Sequence, residues 1–355
     1  MLWIDFAKAV SLILVLHLHA NFYSGGLASP HAKIAVTLPV FIDVLSFYAR
    51  LPIFFFVSGM LAARRIAIGA TTGLGTHAYL YFLWALIYVV VISDWPHFCG
   101  RVTFEPGKVA AILWGGSVVW YLWAIAIAFL VARWTRLWPT WLVIGIAALM
   151  TESQFAVAAE WGAHLGSLLR CLPFYLLGAR IPTIGGMIAD SRSAMLAISG
   201  ILAYFLFGLL VPSNIPFVSI AADLAGLILG LMAAGWAARC YPGIVSPVSR
   251  IGKQTLPVYI LHFPIIAVVG LLSIRLLSPL PAGHFAFQMF APMLTAIVLV
   301  SSLLLYRSIC GMGGGWLFHW PVQRSGFSKR PANADTDMPD GIAAVGEIAL
   351  RKMTD

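Results

Sequence analysis

An all-α, polytopic transmembrane bundle is the fold class this sequence predicts, and three observations predict it. Of 355 residues, 61% are hydrophobic before glycine is counted, only 10% are charged, and the mean hydropathy is +0.92. Soluble domains are about 45–50% apolar and about a quarter charged, so most of these side chains need a solvent other than water. Disordered chains, collagens, disulfide scaffolds and soluble enzymes are set aside on composition.

A span needs about 20 mostly apolar residues. The segments that qualify are 2–22, 41–63, 77–93, 117–132, 138–151, 165–181, 194–211, 217–237, 254–273 and 286–306, about ten spans in all. The first carries no small-residue cleavage site after its apolar run, so it is expected to stay as a span. Sorting Lys and Arg between loops with the N-terminus inside gives fifteen inside, four outside (Lys33, Arg101, Lys108 and Arg275) and three within spans. The positive-inside rule therefore predicts an even number of spans with both termini cytoplasmic. The same rule accounts for the net charge of +9, and no nucleic-acid partner is expected. Trp95, Trp114, Trp134, Trp138, Trp161 and Trp236 fall near predicted span ends, where amphipathic rings belong.

Residues 1–310 read as one transmembrane domain without internal repeats, and 311–355 as a cytoplasmic tail. Within the tail Gly311 to Gly315 is glycine-rich, Trp316, Leu317, Phe318 and Trp320 could lie on the membrane surface, and the polar remainder is expected to be disordered. The cysteines Cys99, Cys171, Cys240 and Cys310 are far apart with no CxxC spacing, so neither a disulfide framework nor a metal site is expected.

A charge at mid-bilayer costs about 2.5–3.5 kcal/mol, so each one needs a reason. The first span holds Asp5, Lys8, His17 and His19. At 100° per residue Lys8 and His19 share a face about 16.5 Å apart, and Asp5 can pair with Lys8 at i,i+3. That pair is either an interfacial charge pair or part of a functional stripe. His17 projects from the opposite face and is expected to be a packed histidine bonded to a backbone carbonyl. His19, on the charged face near the outer third of the span, is the candidate for proton transfer.

Arg50 opens the second span's Arg-Leu-Pro sequence and could snorkel to lipid phosphates. Ser58 and Gly59 permit close helix approach. In the sixth span Arg170 precedes the kinking Pro173 and could meet His19 at similar depth. In the ninth, Tyr259 and His262 lie one turn apart before Pro264, a setting that also suits interhelical hydrogen bonding.

Taken in order, these segments resemble the acyltransferase 3 family of integral-membrane acyltransferases. Ile4-Asp5-Phe6-Ala7-Lys8 through His19 is similar to the family's first span, in which a basic residue is followed by the histidine regarded as catalytic. Phe54 through Leu61 resembles its aromatic-rich segment ending in Ser-Gly, and Trp120-Tyr121-Leu122-Trp123 its Trp-aromatic-Leu segment. Phe174 to Gly178 resembles the stretch ending in Leu-Gly, and Gly252 through His262 the late Tyr-x-x-His element. The similarity covers roughly residues 2–306.

The resemblance implies transfer of an acyl group, acetyl from acetyl-CoA, to a hydroxyl of a carbohydrate or envelope polysaccharide. His19 would be the base, Arg50 or Arg170 the oxyanion donor, and membrane lipid the surroundings. One departure stands out: where many members carry clustered arginines before the third span, this chain reads Thr76-His77-Ala78-Tyr79, with Arg64 and Arg65 upstream. Guanidinium binds phosphate in bidentate fashion, so the place of an anionic donor is open at this point. A transporter or flippase for a sugar, lipid-linked glycan or small acid is the alternative, using the same buried charges as its pathway.

Overall fold

Backbone N–H and C=O groups in a bilayer must be satisfied within the chain, and helices apolar around their whole circumference do this. The computed structural model describes residues 1–27, 38–71, 73–92, 112–212, 215, 217–277 and 285–320, and every regular element among them is helical. The helices are α1 (Leu2–Leu27), α2 (Leu38–Ala67), α3 (Leu74–Ile87, running into a π-turn Tyr88–Ile92), α4 (Trp120–Trp134) and α5 (Thr140–Thr151). They continue with α6 (Gln154–Trp161), α7 (Ala163–Arg180), α8 (Thr183–Asp190), α9 (Ala194–Phe205) and α10 (Val218–Cys240). Last come α11 (Pro242–Gly252), α12 (Thr255–Leu277) and α13 (Phe285–Gly311), with a closing 3-10 turn at Gly314–Leu317.

All ten apolar segments of the sequence fall on helices, but length and hydropathy qualify fewer as spans. Four helices pass outright, and up to seven if each bent pair is one span. The bent pairs are α5 with α6 (56°), α7 with α8 (95°) and α11 with α12 (71°), and Leu74–Val90, Trp120–Trp134 and Ala194–Leu210 are shorter apolar helices. The chain is thus a multi-pass membrane protein. The cations Lys33, Arg101 and Lys108, Trp95, Cys99 and the tail from 321 on lie outside the described residues.

α1 runs through the middle, packed against α2, α10, α11, α12 and α13. The α2–α7 seam is a backbone contact: a Cβ on Gly59 would stand 2.0 Å from the Tyr175 carbonyl oxygen, and one on Gly178 would stand 2.1 Å from that of Phe56. Small residues let membrane helices approach this closely. Prolines leave helical carbonyls without their i+4 donor, and neighbouring helices supply one. Pro264 strands the Ile260 carbonyl, which accepts from the Tyr88 hydroxyl at 2.8 Å. Pro173 strands that of Leu169, which accepts from Thr151 Oγ1 at 3.2 Å.

One expectation for the C-terminal segment is corrected. Phe318 does not lie on a membrane surface but is wholly buried, against the rings of Trp84 and Tyr306. The Trp84 indole donates to the Leu317 carbonyl at 2.7 Å, and the Tyr79 hydroxyl donates to that of Trp316 at 3.2 Å. The glycine at 313, with φ 88°, makes the turn that sends the chain back onto α3.

Candidate active site

Lys8 comes from the first turns of α1, Arg65 from the last turn of α2, His77 from the first turn of α3 and Thr255 from the start of α12. Antiparallel packing brings these ends together, and all four residues line one cavity of about 200 Å³. Arg65 reaches it across Gly73, whose φ of 102° and missing Cβ leave room: a Cβ there would meet the guanidinium at 2.5 Å. The third span lacks the arginine cluster, yet the tertiary structure assembles a cationic mouth from Lys8 and Arg65, with His77 beside them. Asp5 and Lys8 form the i,i+3 pair, at 2.8 Å.

Phe54, Leu122, Ile125 and Phe129 give the cavity apolar walls, and Ser58, Tyr121 and Tyr259 give it a hydroxyl-bearing inner part. Ser58 Oγ and the Tyr121 hydroxyl are 2.7 Å apart. The Tyr259 hydroxyl donates to the Val118 carbonyl at 3.1 Å and accepts from the Tyr121 N–H at 3.2 Å. Ser58 therefore has a polar partner of its own, beside a Gly59 that serves packing.

Beyond Tyr259 the polar path continues. Its ring lies 5.4 Å from that of His262, and His262 lies 5.3 Å from His19. His262 Nδ1 donates to the Tyr259 carbonyl. A carbonyl can only accept, so this bond puts the proton on Nδ1 and leaves Nε2 as a lone pair, buried and without a partner. His19 itself makes ring contacts, with His262 and with Phe263 at 4.6 Å, and Arg50 and His164 lie within its electrostatic reach. The cavity, Tyr259, His262 and His19 thus form one continuous series. Lys8 stands at its outer end and His19 about 16 Å deeper along α1.

The opposite face of α1 is organised differently, and three expectations change there. His17 is bonded not to a backbone carbonyl but to a carboxylate: Nδ1 donates to Asp43 Oδ1 at 3.2 Å. Asn21 Nδ2 donates to the other Asp43 oxygen at 2.6 Å, and Arg50 Nη1 lies 3.6 Å from Oδ1. Arg50 also donates to Ser46 Oγ at 3.5 Å, so it is held inside the bundle, 4% exposed, and does not snorkel. Arg170 is committed to Asp223, not to His19. Nε donates to Oδ2 at 2.7 Å and Nη2 to Oδ1 at 2.5 Å, while the guanidinium lies over the Phe47 ring at 4.3 Å. Bidentate carboxylate is the geometry an arginine fork fits best.

Asp43 is the member that sequence reasoning missed, because it sits at the edge of the predicted second span. Its signal was present: seven residues before Arg50 is two helical turns on one face. Among the described residues no group of three His, Cys, Asp or Glu could hold a metal ion. Cys171, Cys240 and Cys310 are free thiols.

A family model, that of the acyltransferase 3 family described as an acyltransferase domain, matches residues 1–307. No curated protein and no solved structure matches the chain.

Proposed function

The chain belongs to the acyltransferase 3 family and is an integral-membrane acyltransferase. From that premise we propose that it moves an acetyl group from acetyl-CoA to a hydroxyl of a carbohydrate or envelope polysaccharide acceptor, with His19 as the base. The observation that carries this reading is the cationic cavity joined through Tyr259 and His262 to His19. It offers an anionic donor a mouth at Lys8 and Arg65 and its acyl arm apolar walls at Phe54, Leu122, Ile125 and Phe129, on the side where Tyr259 and His262 lead to the imidazole.

In the proposed reaction His19 takes the proton of the acceptor hydroxyl as that oxygen attacks the thioester carbon. The oxyanion forms within reach of Arg50, in a site from which packed helices exclude water. Cleavage of the C–S bond then releases the thiolate, which takes the proton from His19, so the transfer is balanced without a further reactant. Arg170, held by two hydrogen bonds to the buried Asp223, is a weaker candidate for the oxyanion than Arg50. The topology proposed with it has ten crossings, both termini cytoplasmic and a bacterial inner-membrane location, so the donor enters from the cytoplasm.

The test is acetyl transfer from labelled acetyl-CoA by protein in lipid nanodiscs, joined to mass spectrometry of envelope and secreted glycans from a deletion strain. Loss of one ester mass from a glycan, restored by the wild-type chain and not by His19→Ala, is the expected result. Intact glycan esters with an altered compartment distribution would replace this reading with transport.

A further inference from the structure

We propose that a second cavity, between the start of α1 and the α11–α12 corner, is a subsite for the phosphate esters of the acyl donor. The proposal rests on the reading of the chain as an acyl-CoA-dependent transferase. The cavity measures about 220 Å³, and Asp5, Ser246, Ser249, Arg250 and Lys253 line it.

Position argues first. Asp5 lines this cavity and Lys8 lines the other, and the 2.8 Å ion pair between them is a shared wall. Lys253 lines this cavity, whereas Thr255 and Leu256, two and three residues on, line the other. A donor with its acyl arm in the first cavity has its nucleotide end at this corner, and the thioester then reaches toward His19, about 16 Å deeper along α1.

Charge argues next. Arg250 and Lys253 have no carboxylate partner among the described residues, and the one acid in the cavity, Asp5, is already neutralised by Lys8. Both cations line the same cavity, and phosphate is the group a guanidinium binds with two hydrogen bonds.

The corner is also held in place. A Cβ on Gly252 would stand 1.8 Å from the Asp5 carbonyl oxygen, so α11 lies directly on the α1 backbone. Ser249 Oγ donates to the Leu2 carbonyl at 3.2 Å. The two cations are therefore carried on a rigid seam rather than on a free loop.

The experiment compares wild type with Arg250→Ala/Lys253→Ala, full length, in nanodiscs of phosphatidylcholine and of phosphatidylglycerol. Two donors are used: acetyl-CoA, and S-acetyl-N-acetylcysteamine, a thioester without phosphates. The KM for acetyl-CoA is expected to rise by about tenfold or more, the size of losing one hydrogen bond to a charged group. The rise should be the same in both lipids, with kcat within about twofold and the KM for the phosphate-free thioester unmoved. Arg250→Lys/Lys253→Arg should restore most of the affinity, separating charge from folding. An unchanged KM for acetyl-CoA, or an equal rise for both donors, overturns the subsite. A rise confined to phosphatidylglycerol overturns it too, and assigns the cavity to lipid headgroups. A wild-type chain that turns over neither thioester sinks the acyl-CoA reading itself, an outcome distinct from active protein with an unmoved KM.

Discussion

His17 and His19 lie two residues apart on one helix, yet they belong to two regions built on opposite principles. Around His17 charge meets charge: Asp43 takes His17 Nδ1, Asn21 and Arg50, and Asp223 takes Nε and Nη2 of Arg170, while the His17 Nε2 is buried without a partner and away from the cavity. Around His19 the neighbours are rings, His262 presents a bare Nε2, and a cavity with hydroxyls and cations lies one residue beyond. Matched buried charges specify how helices assemble. Groups left with unused hydrogen-bonding capacity beside a cavity are equipped to act on a substrate, since a buried polar atom without a partner is costly to keep.

The comparison breaks most decisively at His19. His19→Ala should lower acetyl transfer by about 10²–10⁴-fold, the usual worth of a positioned acid–base group, with thermal unfolding unmoved. Retained activity, or equal loss in His17→Ala, would erase the distinction between the two faces. His17→Ala should instead leave transfer per folded molecule largely intact.

Asp223→Ala tests the other side. It strands Arg170 in a site where Asp223 is fully buried, and breaking such a pair costs about 3–5 kcal/mol. Folded yield in detergent should collapse, and a variant as stable as wild type would show that the pair does not hold α7 to α10.

Gly59→Ala should destabilise by about 1–3 kcal/mol as the α2–α7 seam opens to admit a methyl group, because the obstruction is the Tyr175 carbonyl and not a flexible side chain. A lowered unfolding temperature with a normal KM for donor is expected. A changed KM would mean that the seam also shapes the cavity.

Tyr259→Phe sharpens the comparison most finely. It removes the hydroxyl's bonds to the Val118 carbonyl and the Tyr121 N–H, at about 0.5–1.5 kcal/mol each, while keeping the ring against His262. A modest loss of stability with activity within a few-fold of wild type is expected. Complete inactivity would make the hydroxyl itself part of the chemistry.

The sequence by itself determined the solvent, the helical class, the spacing that puts Lys8 and His19 on one face, and the Asp5–Lys8 pair. These follow from hydropathy and from the 3.6-residue period, which are local properties read along the chain. Which charge meets which was decided by tertiary structure. Arg170 could be assigned to His19 from depth alone, but helix neighbours put Asp223 beside it. His17 lacked a visible partner until α2 brought Asp43 across. Before the third span the arginine cluster is absent, and Lys8 and Arg65, from two separate helix ends, meet instead at one cavity. Depth in a bilayer is legible in one dimension, whereas the order of helices around a bundle depends on backbone contacts such as Gly59 on Tyr175 and Gly252 on Asp5. Those contacts set which faces adjoin, and so which buried groups remain unmatched.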